Sequence, residues 1–226
     1  QTTINSYADN LNRAMDQIST NIDQMNQSLD LAQASQDATE IAKYLKSSML
    51  TGLDMADIML SLPDQINETE ISGVKDGVIG MLDTIIGIYE HIVDYLPDSY
   101  KDDYTKLKEN RDRLDELDPD NPEYQEVISQ LHSRISNIRE DISAINEEQL
   151  AAAGSDSLKE AASKARGKGQ ELKTLLSTTI RDSINDGLSS LEGMLNNTNL
   201  ILNNVGETFG NLVVMFEAIE NTVDCA

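Results

Sequence analysis

Side chains able to do chemistry are few in this chain, and their spacing keeps them apart. His91 and His132 are the two imidazoles. They fall on separate helical segments without a metal-ligand neighbour pattern, so zinc is not expected. No Glu-x-x-His pair occurs, which removes the di-iron bundle signature. The acidic turn from Asp118 to Asn121 offers oxygen ligands, but Pro122 takes a ligand position of a calcium loop and the central glycine is missing. Phosphate-cradling glycine loops and the strained nucleophile turn of hydrolases are both absent. Carboxylates are abundant on faces predicted to be exposed, and no paired acid and base in a dry cleft is expected. The expectation is therefore a protein without cofactor or metal and not an enzyme.

What remains is charge. The chain has 17 Lys and Arg against 40 Asp and Glu, a formal net charge of −23 over 226 residues. Such a field repels phosphates and anionic headgroups, so a nucleic-acid partner is excluded. Arg13, Lys43 and Lys46 are rare cations in the acidic N-terminal half and are the candidate contacts for a small anionic ligand. Lys159, Lys164, Arg166, Lys168 and Lys173 form the one basic cluster; a solvated helix face is the plain reading, an anion-binding patch the alternative. A lone thiol, Cys225, cannot close an internal disulfide and is a candidate for an intermolecular one. Asn-x-Ser/Thr sequons at Asn26, Asn67 and Asn196 are compatible with secretion without arguing for it.

The elements that must position these residues are helices. Apolar residues recur at three- and four-residue spacing almost throughout. Ile4, Leu11, Ile18, Met25 and Ala32, with Ala8, Met15, Ile22 and Leu29, make a narrow seam of coiled-coil type. Asp37 and Glu40 stand in capping-box register before a second helix that Pro63 stops. Asn67 and Glu70 offer the same signal before a third helix, 68–96. That helix is apolar or small around most of its circumference, with Asp76, Asp83 and Glu90 as its one polar edge, so it belongs in the middle of a bundle. Its internal charges and the lack of a long apolar run argue against a membrane span. Gly73, Gly77, Gly80 and Gly87 form a small-residue line along it, expected to admit a close neighbour. Gly206 and Gly210 in the last helix are the expected partner surface.

At Pro97 either a long helix kinks or a new one begins. Asn121 and Pro122 then cap and open another helix, making 98–148 an antiparallel hairpin with its tip at Asp118–Asn121. Gly154, followed by Ser157 and Glu160 in capping-box register, starts the last helical region, with a break allowed at Asn185-Asp186-Gly187. Leu158, Ala162, Ala165, Leu172 and Leu176 make a thin stripe there. From Leu191 to Val223 the apolar residues hold strict 4-3 spacing.

These readings predict an all-α fold: an elongated antiparallel helical bundle with coiled-coil-like seams, two bundles end to end. Residues 1–97 with 186–226 are expected to form a termini-proximal four-helix bundle, and 98–185 a distal one. In architecture only, this resembles the helical-bundle input domains of chemoreceptors and sensor kinases. The expected function is the ligand-binding region of a membrane receptor, outside the cytoplasm, between flanking membrane helices and with no direct membrane insertion of residues 1–226. Its partners would be a small-molecule ligand and a neighbouring receptor subunit. The alternative is a secreted or cell-surface structural protein that self-associates through coiled-coil faces.

Overall fold

The computed structural model describes residues 2–61, 71–118 and 120–223, and they form an all-α fold with no strand among them. Eight helices follow in order: α1 (Thr2–Ala34), α2 (Ala38–Leu60), α3 (Ile71–Ile92), α4 (Asp98–Glu116), α5 (Pro122–Ala144), α6 (Glu147–Ala151), α7 (Ser155–Leu175) and α8 (Arg181–Val223). The helix boundaries follow local chemistry. The Asp37 carboxylate accepts from the amides of Thr39 and Glu40, satisfying donors that the first turn of a helix leaves unpaired. Glu40 does not complete the box; its carboxylate takes the Ser35 hydroxyl instead. The Asn67 and Glu70 signal lies outside the described residues.

At Pro97 the chain starts anew. α3 ends at Ile92, a 3₁₀ turn covers Val93–Tyr95, and Pro97 stands as the N-cap of α4. Asn121 caps α5 by accepting from the Glu123 amide, with Pro122 in the first turn. The spacing did not separate α5 from α6, yet Asn146 and Gln149 form a reciprocal capping box between them. α7 begins at Ser155 with no side-chain cap, and its N-cap Gly154 holds φ at 83°, a left-handed conformation that favours glycine. Asn185–Gly187 lie inside α8 without a break. The irregularity is a π turn at Leu176–Ile180.

Ion pairs fix the sense in which the helices meet. Asp30–Arg166 and Asp23–Lys173 run α7 antiparallel to α1. Asp83–Arg111 and Glu90–Lys108 do the same for α3 and α4. Asp54–Arg139, with a hydrogen-bond contact of 2.9 Å between Asp57 and Nδ1 of His132, aligns α5 against α2. Arg113–Glu123 with Asp103–Arg134 joins α4 to α5.

Inside this frame α1, α2, α3 and α7 pack together, and the α4–α5 hairpin lies back along α3 and α2. Met15, Leu53, Tyr89, Leu107, Leu131 and Leu172 belong to one contiguous buried cluster, so the hairpin shares the core of the other helices. The fourth member of the α1–α3 group is α7, where the spacing placed 186–226. The reason is side-chain size. Ala161, Ala162, Ala165 and Gly169 are buried along α7, and small side chains let a helix sit close in a bundle, although they read as a weak stripe in sequence.

Among the glycines whose surroundings are described, the closest approaches occur at Gly169 and Gly52 and not at Gly80, Gly87, Gly206 or Gly210. A Cβ on Gly169 would overlap Oδ1 of Asn26 and stand 3.0 Å from Cε of Met25, and one on Gly52 would stand 3.3 Å from Cγ1 of Ile85. Asn26 is buried with its Oδ1 unpartnered, so this sequon is sealed inside the α1–α7 contact. Gly80 would meet only Leu172 at an ordinary 3.5 Å, and Gly87, Gly206 and Gly210 would meet nothing within 4 Å. Gly77 is buried, and the side-chain surroundings of Gly73 lie outside the described residues.

The α1–α7 contact yields a test. Gly169→Ala is expected to cost about 1 kcal/mol in urea unfolding, because overpacking of about 2 kcal/mol outweighs about 1 kcal/mol of helix propensity. Adding Asn26→Ala makes room for the new methyl and removes the orphaned acceptor, so the double variant should be more stable than the parent. Equal losses in the single and double variants would refute the steric account.

Candidate functional site

α3 is covered by α2, α7 and α4, but α4 and α7 flank it without packing extensively on each other. The strip of α3 between them is floored by Thr84 and Gly87, and the resulting groove has a volume of about 480 Å³. Thr84 is buried and returns its hydroxyl to the Gly80 carbonyl at 2.9 Å. Gly87 leaves open space where a larger residue would fill the groove. In the described part of the small-residue line, Gly80 thus meets Leu172 of α7 and Gly87 keeps a space open.

The two walls differ in charge. On the α4 side Arg111 donates to both oxygens of Asp83, at 2.8 and 3.1 Å, and also to Asp112 and Asp115 at 3.2 Å each. Hydrogen bonding to Asp83 raises the Arg111 pKa above its ordinary value, against the opposing effect of burial. One guanidinium among three carboxylates leaves this wall acidic. Lys108 meets Glu90 at 3.5 Å, and Glu90 also accepts from the Tyr104 hydroxyl at 3.3 Å. Burial first, and then the Glu90 charge, push the Tyr104 phenol up to about 12.

The α7 wall carries Lys164, Lys168 and Glu171. Lys168 pairs with Glu171 at 3.0 Å and Lys164 with Glu160 at 3.2 Å. Lys164 also donates to Nε2 of His91 at 3.2 Å, while Nδ1 of His91 lies 3.1 Å from the Gly87 carbonyl. Nε2 of His91 also lies 3.7 Å from the Glu160 carboxylate.

The three cations chosen from sequence are not brought together. Arg13 is exposed and bonds within its own helix, to the Asp9 carbonyl and the Asn10 side chain. It lies about 30 Å along α1 from the α1–α2 turn, whereas Lys43 and Lys46 are near that turn. Lys46 is half-buried and clamps the α5–α6 junction through the Ile145 carbonyl at 2.6 Å and Glu147 at 3.3 Å. Lys43 borders a shallow hollow with Glu40 and Glu147. The basic cluster splits: Arg166 and Lys173 hold α1, while Lys164 and Lys168 face the groove. The alternative of an anion-binding patch was the sequence signal nearest to the site. Lys108 and Arg111 carried no signal, because they become neighbours of that cluster only across α3. Cys225 lies outside the described residues.

A carboxyl pair also escaped the sequence reading. Asp103 on α4 and Asp141 on α5 approach each other beside the buried Tyr89. Burial first, then the hydrogen bond and charge of Asp103, raise Asp141 above the usual carboxylate range. Tyr89 stacks on Tyr104 with ring centroids 5.6 Å apart; its buried hydroxyl has no partner, and burial drives its pKa upward. Neither aspartate lines the groove. Among the described residues no group of three or more His, Cys, Asp or Glu could hold a metal ion, and no helix is long and apolar enough to cross a membrane.

No protein-family model, curated protein or solved structure matches this chain.

The Asp103–Asp141 pair has a signed pH dependence. A carboxyl whose folded pKa is raised stabilises the fold fully below its unfolded value, and that contribution is lost as pH rises through the folded value. Asp141→Asn removes the repulsion permanently. Its melting temperature should exceed that of the parent at neutral pH and converge with it near pH 4. A variant less stable than the parent at neutral pH would contradict the assignment.

Proposed function

We propose that this chain is a non-enzymatic ligand-binding domain of the sensor type, taking a small dipolar metabolite in the groove between α4 and α7. The observation that carries the reading is the pairing of an open glycine floor with walls of opposite character. An ammonium group fits the acid-rich side around Asp83, Asp112 and Glu90, and a carboxylate fits Lys164 and Lys168. A free anion is a poorer match, because the chain as a whole is acidic.

The response would be a shear movement. A ligand that bridges the walls binds better when α7 and α4 are closer, and it shifts the population toward that arrangement only by its difference in affinity between the two. Packed helices slide by about 1–2 Å in such transitions. α7 continues through the π turn into α8, so displacement of the groove wall would be carried along one helical path to the far end of α8. This is the behaviour of a receptor input domain.

A thermal-shift panel of amino acids, betaines, dicarboxylates and polyols tests the reading. A dipolar compound at a hundred times its dissociation constant should stabilise the protein by about 2.7 kcal/mol, a rise of roughly 5–10 °C for a chain of this size. Gly87→Leu should keep the helical circular dichroism and abolish the shift. If no compound stabilises the parent, or if the shift survives Gly87→Leu, the groove is not the site.

A further inference from the structure

α8 is 43 residues long, and its described part beyond Glu192 makes almost no use of the core. Met194, Ile201, Leu202, Val205, Phe209 and Val213 are 45–65% exposed. They are not scattered. Leu202 and Phe209 with Thr198 and Val205 hold the 4-3 spacing of a coiled-coil seam, and Met194 and Ile201 widen it on one side. Together these apolar side chains expose roughly 700 Å² of accessible surface, close to the about 800 Å² that each partner buries in a stable interface. A monomer does not ordinarily leave so large a continuous apolar stripe in water.

From this face we infer that α8 pairs with α8 of a second copy of the chain. The charge pattern selects that occupant. Coiled-coil partners of different sequence are chosen by opposite charges beside the seam. Here the flanking positions hold Met194, Asn199, Ile201, Gly206, Thr208 and Val213, with Glu192 as the one acid among them; Glu207 lies on the face opposite the seam. After Arg181, the first residue of α8, the chain has no Lys or Arg, so nothing along the stripe would attract an acidic partner. Two copies that each carry a net charge of −23 repel over most of their surfaces. The α8 stripe is where they can approach with neutral and apolar groups facing each other. Gly206 and Gly210, open on this helix, add no bulk at the flank.

The pairing does not rest on the groove or on its ligand. Sedimentation equilibrium of the whole chain at about 1–100 µM should show a dimer that forms with concentration. It should tighten at higher salt as the acidic bodies are screened. Leu202→Glu with Phe209→Glu places acids in the seam at residues that do not touch the core, and this variant should be monomeric at every concentration with unchanged melting of the α1–α7 body. With Cys225→Ala as background, Val205→Cys reports whether the seams meet, by oxidative cross-linking that is lost in the double-Glu variant. A parent that stays monomeric at 100 µM overturns the inference, as does a dimer that persists in the double-Glu variant. Capture of the monomer by lipid vesicles in place of a second copy would overturn it too.

Discussion

α3 has almost no face that water can take. Its buried residues Val78, Ile79, Met81, Leu82, Ile85, Ile86, Ile88, Tyr89 and Ile92 point around most of the helix, and each buried aliphatic side chain contributes about 1.5–3 kcal/mol only if something covers it. The remaining architecture answers that demand. α2 and α7 take two sides, α4 takes the acidic edge, and α1 and α5 close over those neighbours. Where two of the covering helices fail to meet, the small residues Thr84 and Gly87 leave a groove instead of an exposed apolar strip. The candidate site is thus a consequence of how α3 is buried, and its rim is charged because the covering helices end their apolar faces there.

The ion pairs do a different job from the core. Exposed pairs contribute about 0–1 kcal/mol each, too little to hold the molecule together. They discriminate among arrangements that the apolar seams leave nearly equal. In a chain with so few cations, pairing Arg166 and Lys173 with α1, Arg139 with α2 and Arg111 with α3 favours this neighbour, direction and register together.

Much of the fold was legible in the sequence. Caps at Asp37 and Asn121 mark helix starts through hydrogen bonds that act within one turn, and such local signals survive without tertiary knowledge. The surrounded nature of α3 and the α4–α5 hairpin were legible for the same reason. The place of α7 was not, because Ala161, Ala162, Ala165 and Gly169 make a stripe whose value lies in closeness rather than in apolar area. The groove was hidden for another reason: its charges come from α3, α4 and α7, and no one-dimensional pattern joins Arg111 to Lys168. Asp103 and Asp141 were invisible likewise until the register of two antiparallel helices set them side by side.

The helical path from Ser155 to Val223 bends at no proline and carries its one irregularity, the π turn, where α7 leaves the body. Beyond that turn α8 runs for about 65 Å, touching α1 along part of that length. Geometry then acts as a gear. A change of about 5° in direction at Leu176–Ile180, small enough to be absorbed by a single loosened turn, swings the distal end of the arm by roughly 6 Å. Sub-ångström adjustments at the base of the rod become displacements at its tip comparable to the width of a side chain.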